Sequence, residues 1–307
     1  MGNRDAEIVE RISVLKKRRN AVILVHNYQL GEVQDIADFV GDSLELSQNA
    51  AKTPADVIVF CGVHFMAETA SILCPDKVVL LPDMNAGCPM ANMITAERLR
   101  AEKKQHPQVV VVCYINSSAE VKAESDICCT SANAVEIVES LGAREILFIP
   151  DQYLGHYVSV RTGKKMILWP GFCPTHVRIT PERIKELRQE YPQARVVVHP
   201  ECTPDVIALA DEVASTSGMC RYARREDVRE MVVGTEVGII HRLRKENPGK
   251  KFIPVSEQAI CPNMKLITLE KVLWALEEIS PEVKVPHEVR LKAIAAVNKM
   301  LQVGRKC

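Results

Sequence analysis

The sequence has no excess charge of either sign and no long hydrophobic run. Lys plus Arg and Asp plus Glu each total 39, so the zero net charge gives no general electrostatic reason to bind nucleic acid or an acidic membrane. The longest apolar runs, residues 109–113 and 57–61, are far shorter than the roughly 20 residues of a membrane-spanning helix. The first residues, MGNRDAEIVE, lack an apolar signal core. We therefore expect a cytoplasmic protein without nucleic-acid or membrane partners.

The sequence also lacks any Cys-x-x-Cys pair, although it contains 11 cysteines. Zinc ribbons and ferredoxin-type clusters collect neighbouring ligands from such pairs, so this absence argues against both. A disulfide framework is not expected either, because the cytosol keeps thiols reduced. Any metal site must be assembled from distant segments of the chain.

A threefold internal repeat is present instead. The three copies begin at Val22, Val110 and Arg195, with VILVHNYQLGEVQDIADFVGDS, VVVCYINSSAEVKAESDICCTS and RVVVHPECTPDVIALADEVAST. Four sets of positions keep the same two offsets, 88 and then 85 residues: His26, Tyr114 and His199; Tyr28, Asn116 and Glu201; Asp38, Asp126 and Asp211; Ser43, Ser131 and Thr216. Agreement at four independent positions indicates a true repeat.

The repeat predicts the fold class. Short Val/Ile/Leu runs are apolar at every position, which is typical of parallel strands buried on both faces, and amphipathic helical stretches separate them. We predict an α/β protein of three similar units related by pseudo-threefold symmetry, at residues 20–105, 106–191 and 192–277. Flanking helices are expected at residues 5–19 and 289–303.

Polar residues follow the first predicted strand of each copy, where ligands bind in parallel sheets. They alternate along the chain, so each pair can face one pocket: His26 and Tyr28, Tyr114 and Asn116, His199 and Glu201. The pattern is kept while the side chains differ, as one asymmetric substrate at a central site would require. Glu201 and the histidines suit general acid/base catalysis.

Hydroxyl residues precede the next helix in each copy, namely Ser43, Thr130 and Ser131, and Ser215, Thr216 and Ser217. Any one of them alone would more often cap a helix. Three groups at one repeat position favour a shared site for a carboxylate or phosphate, to which helix N-termini contribute N–H groups.

Three cysteines occupy the same loop of each copy, and each precedes a proline: Cys88, Cys173 and Cys261. Threefold symmetry could bring their thiolates to one axis. Three thiolates without an equivalent fourth indicate either a zinc site or an iron–sulfur cluster with one iron unligated by protein, and the residue chemistry favours the cluster. We expect the other eight cysteines, Cys307 among them, to take no part in it.

Several long segments resemble those of the quinolinate synthase family, among them HNYQLGEVQDIADFVGDS, LPDMNAGCPMA, WPGFCPTH, HPECTPDVIALAD and CPNMKLITLEK. The resemblance extends from about residue 21 to residue 275. It implies a transferase of NAD biosynthesis that condenses iminoaspartate with dihydroxyacetone phosphate to give quinolinate, phosphate and water. It also implies three αβα domains around a central cavity, and one 4Fe-4S cluster on Cys88, Cys173 and Cys261 whose open iron acts as a Lewis acid.

The same resemblance implies roles for individual residues. The catalytic set is Tyr28, Tyr114, Asn116, His199 and Glu201. The substrate-binding set adds His26, Ser43, Ser131, His176, Ser215 and Thr216. A functional link is implied to an aspartate oxidase or dehydrogenase that supplies iminoaspartate.

Three other functions remain as alternatives. An electron-transfer or redox-sensing iron–sulfur protein would normally have four protein ligands. A zinc hydrolase with three thiolates would be colourless. A noncatalytic repeat scaffold would not need divergent polar residues facing one centre.

Overall fold

The computed structural model describes residues 3–142 and 145–303, so Cys307 lies outside the described residues. The strands are β1 (Ala21–His26), β2 (Phe39–Gly41), β3 (Val57–Cys61), β4 (Val78–Leu80), β5 (Val110–Tyr114), β6 (Ile127–Cys129), β7 (Ile146–Ile149), β8 (Met166–Leu168), β9 (Arg195–Val198), β10 (Glu212–Val213), β11 (Glu230–Gly234) and β12 (Lys251–Pro254). The helices are α1 (Asn3–Arg18), α2 (Gly31–Asp35), α3 (Ser43–Lys52), α4 (His64–Leu73), α5 (Ala96–Gln105), α6 (Ala119–Ala123), α7 (Ala134–Ser140), α8 (Gln152–Thr162), α9 (Pro181–Glu190), α10 (Pro204–Ile207), α11 (Thr216–Ala223), α12 (Ile239–Glu246), α13 (Leu269–Glu278) and α14 (His287–Gln302). Three short 3-10 turns lie at Ala91–Met93, His176–Arg178 and Met264–Leu266.

The strands form three parallel four-stranded sheets, each built by one copy of the repeat. Their orders are β2-β1-β3-β4, β6-β5-β7-β8 and β10-β9-β11-β12. Helices connect the strands and flank the sheets, as parallel pairing requires. The predicted α/β fold with three αβα units is confirmed.

Both faces of each sheet are buried, and the third sheet makes the reason clear. Val196 and Val198 of β9 pack with Leu187 of α9 on one face. Val197, between them, packs with Leu243 of α12 on the other face. Successive side chains of a strand point to opposite faces, so a doubly covered strand must be apolar at every position.

The last helix of each copy contacts the next copy. Helix α5 contacts α6 of the second copy, α9 lies in the core of the third sheet, and α13 contacts α1 and β3 of the first. These contacts close the three copies into a ring. The domain boundaries at residues 105/106 and 191/192 stay a prediction.

The helices that flank the three copies are α1 and α14, whose ends lie within two residues of the bounds expected from the sequence. Helix α1 packs on α13 and β1, and α14 packs on α4, α6 and β6. Within the part of the chain that the structure describes, every helix is too short or too polar to span a lipid bilayer.

The repeated aspartates prove to be structural. Each carboxylate accepts a hydrogen bond from the N–H of a residue in the first strand of its own copy, and each aspartate N–H donates to the carbonyl of that same residue. The carboxylate contacts are Asp38 to Ile23 (2.8 Å), Asp126 to Val111 (2.8 Å) and Asp211 to Val196 (2.7 Å). This double contact fixes the start of the short second strand beside the first.

Candidate active site

One cavity lies where the three copies meet, and nearly all of the sequence-predicted site residues line it. They are His26, Tyr28, Ser43, Cys88, Tyr114, Asn116, Ser131, Cys173, His176, His199, Glu201, Thr216 and Cys261. Ser215 is the predicted residue that is not among its lining side chains. The structure thus brings the predicted residues together, while their individual roles stay predictions.

Glu201 is the centre of the polar network. Tyr114 donates its phenolic hydrogen to Oε1 (2.6 Å), the Asn116 amide approaches the same oxygen at 3.5 Å, and His176 Nδ1 lies 2.7 Å from Oε2. Burial raises the pKa of Glu201, but hydrogen bonds from His176 and Tyr114 favour the charged form and the net shift is downward. Glu201 is therefore a buried carboxylate at neutral pH, able to accept a proton.

A chain of hydrogen bonds connects Tyr28 to Glu201. The Tyr28 hydroxyl lies 2.5 Å from Thr235 Oγ1, and Thr235 Oγ1 lies 2.8 Å from His176 Nε2. If the His176 ring is neutral and donates from Nδ1 to Glu201, its Nε2 accepts from Thr235, which in turn accepts from Tyr28. Sequence reasoning missed Thr235. The available signal was its position at the end of the apolar run of β11.

His26 and His199 are fixed in one tautomer by their own backbones. The Tyr28 N–H donates to His26 Nδ1 (3.2 Å), and the Glu201 N–H donates to His199 Nδ1 (3.3 Å). Burial lowers the pKa of both rings to about 3, although the Glu201 carboxylate acts in the opposite direction. Both rings are therefore neutral and carry their hydrogen on Nε2. In His199 that hydrogen points to Ser131 Oγ, 3.2 Å away.

Two helix N-termini are interlocked beside the cavity. Asp42 caps α3 by accepting two backbone N–H bonds, and Ser215 caps α11 by accepting one, from Gly218. The Ser215 hydroxyl also donates to Asp42 Oδ2 (3.0 Å). Ser215, predicted to bind substrate, is thus placed as a cap, whereas the adjacent Ser43 and Thr216 line the cavity.

The three predicted metal-ligating cysteines share one local conformation. Each sulfur accepts hydrogen bonds from the backbone N–H groups two and three residues later. The pairs of donors are Met90 and Ala91 for Cys88, Thr175 and His176 for Cys173, and Asn263 and Met264 for Cys261. These bonds favour the thiolate, as sulfur ligands of a metal require.

Burial acts against the thiolate in all three. It raises the pKa of Cys88 to about 12, and it also raises the pKa values of Cys173 and Cys261. A positively charged centre is needed to hold three buried thiolates together. Three sulfurs in one cavity, each with two N–H donors, therefore fit an iron–sulfur cluster as well as zinc. Cys173, His176 and Glu201 also form a group whose donor atoms lie within 4.8 Å of one another and could hold a metal ion.

Glu236 and Lys265 support the third cysteine, and sequence reasoning missed both. Glu236 is fully buried and lines the cavity, and its Oε1 accepts the Cys261 N–H (3.1 Å) and pairs with Lys265 Nζ (2.9 Å). Lys265 also donates to the Tyr28 carbonyl. Gly238 permits this close packing, since a Cβ there would lie 2.7 Å from the Tyr28 carbonyl.

The chain is similar to known proteins over nearly all of its length. The family model described as Quinolinate synthetase A protein (NadA) matches residues 10–302. A quinolinate synthase of Dehalococcoides mccartyi (strain CBDB1) is 64% identical over 296 residues, which are 96% of this chain and 98% of that protein. A quinolinate synthase of Methanosarcina barkeri (strain Fusaro) is 57% identical over 298 residues, 97% of this chain and 98% of its own. A quinolinate synthase of Geobacter sp. (strain M21) is 57% identical over 294 residues, which are 96% of this chain and 97% of that protein. With a family match of this extent and relatives that align almost end to end, the chain belongs to the quinolinate synthetase A protein family.

Proposed function

We propose that this chain is a quinolinate synthase of NAD biosynthesis, a transferase that condenses iminoaspartate with dihydroxyacetone phosphate to form quinolinate, phosphate and water. The observation that carries the proposal is the single cavity in which three equivalent cysteines meet the hydrogen-bonded network of Glu201. The names of the full-length relatives support the same activity.

The cavity offers hydrogen-bond donors for anionic substrates. Ser43 and Thr216 lie at the N-termini of α3 and α11, where the helix dipole favours negative charge. The neutral His26 presents its Nε2–H, and Ser131 accepts from His199, which leaves the serine hydrogen available. One acceptor is also present. The Asn116 Oδ1 is buried without a hydrogen-bond partner among the described residues, and it suits a substrate N–H.

Cys88, Cys173 and Cys261 would hold the 4Fe-4S cluster. When bound, a cluster with three protein ligands supplies one open iron that polarises a substrate oxygen or nitrogen as a Lewis acid. Glu236 orients the Cys261 loop through the cysteine N–H.

Proton transfers are assigned to the side chains of the chain itself. Condensation and dehydration require removal of substrate protons and protonation of a leaving oxygen. Glu201 is the base, since it is a carboxylate at neutral pH. Tyr28 is the donor, because burial and the Glu201 charge raise its pKa and keep the phenol protonated. Thr235 and His176 connect these two groups. In the His176 tautomer with its hydrogen on Nε2, a protonated Glu201 donates to Nδ1, Nε2–H donates to Thr235 and Thr235 donates to Tyr28, which restores the phenol.

We place the enzyme in the cytoplasm, with a functional link to an aspartate oxidase or dehydrogenase that produces iminoaspartate. Imines hydrolyse in water, so the supply and use of this substrate must be closely coupled.

The proposal is tested by anaerobic purification, iron and sulfide assay, and measurement of quinolinate and phosphate from the two substrates. We expect about four irons per chain and equal amounts of the two products. Changing Cys88, Cys173 or Cys261 singly to Ser should abolish both cluster and turnover. The matched control is Cys74→Ser, because the Cys74 thiol donates to the Ala50 carbonyl (3.1 Å) and a hydroxyl can replace it. Full iron content in any of the three ligand variants, or turnover by a colourless zinc form, would refute the cluster assignment.

A further inference from the structure

Asn27 belongs to the first copy, and its fully buried side chain lies between Arg242 and Thr216 of the third copy. It directly follows β1. Arg242 Nη1 donates to its Oδ1 (2.8 Å), and its Nδ2 donates to Thr216 Oγ1 (2.8 Å). The amide thus links a helix outside the cavity, α12, to a hydroxyl that lines it.

The direction of these bonds follows from the chemistry of the groups. A guanidinium has only donors, so the amide oxygen of Asn27 must face Arg242, and the amide nitrogen must face Thr216. An amide nitrogen only donates, so the Thr216 oxygen accepts. Asn27 is the sole hydrogen-bond partner of the Thr216 side chain among the described residues. The hydrogen of the Thr216 hydroxyl is therefore available to a ligand in the cavity.

Arg242 is itself held firmly. Its Nη1 also donates to the Val40 carbonyl (2.8 Å), and its Nε donates to Glu246 (2.6 Å). The side chain is 17% exposed. A guanidinium fixed by these contacts cannot turn away and let the Asn27 amide rotate.

We infer that Arg242 and Asn27 are positioning residues that make Thr216 a hydrogen-bond donor to a carboxylate or phosphate group of the substrate. This inference rests on the proposed function. The second copy contains a parallel arrangement, in which the Nε2–H of His199 is directed at Ser131 and leaves the serine hydrogen available. In both places a group that can only donate sets the direction of a cavity hydroxyl.

Asn27→Asp tests the inference because it keeps the shape and reverses the polarity. The carboxylate still accepts from Arg242, but it forces Thr216 to donate to residue 27 instead of to the cavity. We expect the Kd for quinolinate, measured by calorimetry on the cluster-loaded protein, and the KM values to rise about 10- to 100-fold, the scale of a lost hydrogen bond to a charged group. The value of kcat should change less, and the melting temperature should not fall. Unchanged binding would overturn the inference, since a purely structural Asn27 tolerates Asp.

A double-mutant cycle separates hydroxyl direction from simple charge repulsion. Thr216→Val removes the hydroxyl, so Asn27→Asp should cause little further loss in the Thr216→Val background. If the two losses multiply, the new charge acts directly on the anion and the inference is wrong. Thr216→Ser should retain most of the affinity of the original protein.

A second pair of variants covers the case in which Asn27→Asp fails to fold. Arg242→Met frees the amide to rotate, whereas Arg242→Lys keeps a group that only donates. We expect the methionine variant to bind quinolinate several-fold more weakly than the lysine variant, and equal binding by the two would contradict the inference. Failure of the proposed function is distinguishable, because the unmodified protein would then form no quinolinate, while binding of quinolinate or inorganic phosphate by the variants still tests the role of Asn27.

Discussion

Glu201 belongs to the third copy but contacts polar side chains of the second, since Tyr114, Asn116 and His176 all lie within hydrogen-bonding or ion-pairing distance of its carboxylate. Its charge also acts on the pKa values of Tyr28 and of both neutral histidines. A change at this one carboxyl group should therefore alter proton transfer across the cavity.

Glu201→Gln should reduce kcat by about 100-fold or more, the usual scale for a positioned acid or base. The amide can still accept from Tyr114 and meet His176, so the fold and the iron content should be nearly unchanged. Single-turnover kinetics with iron analysis provides the measurement. A variant with normal turnover would return Glu201 to a structural role.

The sequence could predict Tyr28 and Glu201 because they alternate with a histidine directly after an apolar strand. Asn27 could not be found in this way, because it lies between His26 and Tyr28 on the opposite side of the chain and acts only through Thr216. Glu236 and Thr235 differ from their repeat equivalents, Asp151 and Pro150 in the second copy. Thr235 acts through contacts with the first and second copies, and Glu236 through contacts with a later loop of its own copy, and no local pattern contains either.

At the scale of helices and strands, equivalent lysines bind the carboxyl ends of equivalent helices. Lys77 donates to the Thr53 carbonyl after α3 (2.9 Å). Lys164 and Lys250 do the same for α7 and α11, at Val138 and Ala223 (2.7 Å each). A lysine there adds a charged donor to carbonyls at the end of the helix and complements the negative end of the helix dipole.

The second strand of each sheet was not predicted. The sequence has three apolar runs per copy, whereas each sheet has four strands, because β2, β6 and β10 are only two or three residues long. Such segments are too short for a hydrophobic pattern to identify. The aspartate preceding each of them, whose register the sequence did reveal, holds the strand in place.

Asp126→Ala should lower the free energy of unfolding by about 1–3 kcal/mol, because the Val111 N–H loses a charged acceptor. Asp126→Asn retains an acceptor oxygen and should cost less. Urea denaturation of both variants gives the comparison, with iron content as the check that the cavity is intact. Equal stability of the alanine variant and the original protein would contradict the proposed strand contact.

At the scale of the whole molecule, stability should depend on pH through the neutral histidines of the cavity. The pKa of His26 and of His199 is about 3 in the folded protein, far below the ordinary 6.5. Below pH 6.5 the unfolded chain therefore binds protons that the folded protein does not, so stability falls with acidification until about pH 3. Each histidine contributes up to about 1.4 kcal/mol per pH unit within this window.

His26→Gln should remove one of these two contributions. We expect the unfolding free energy of the variant to fall less steeply between pH 6.5 and pH 5 than that of the original protein, by up to about 1.4 kcal/mol per pH unit. Urea titrations of the cluster-loaded protein at several pH values measure the slope, and the exposed His156→Gln controls for loss of a histidine. An unchanged slope in His26→Gln would mean that His26 is already protonated in the folded state.

Because the last helix of each copy packs against the next copy, the order in which the ribosome makes the chain affects how the sheets are covered. The first sheet appears early in the nascent chain, yet α13, which packs beside β3 and α1, is the last helix of the third copy and is made only after all three sheets. The first sheet thus waits for a helix of the third copy, and its apolar face stays incompletely covered for much of translation. Chaperones that bind exposed hydrophobic surface should therefore meet this chain through its first copy.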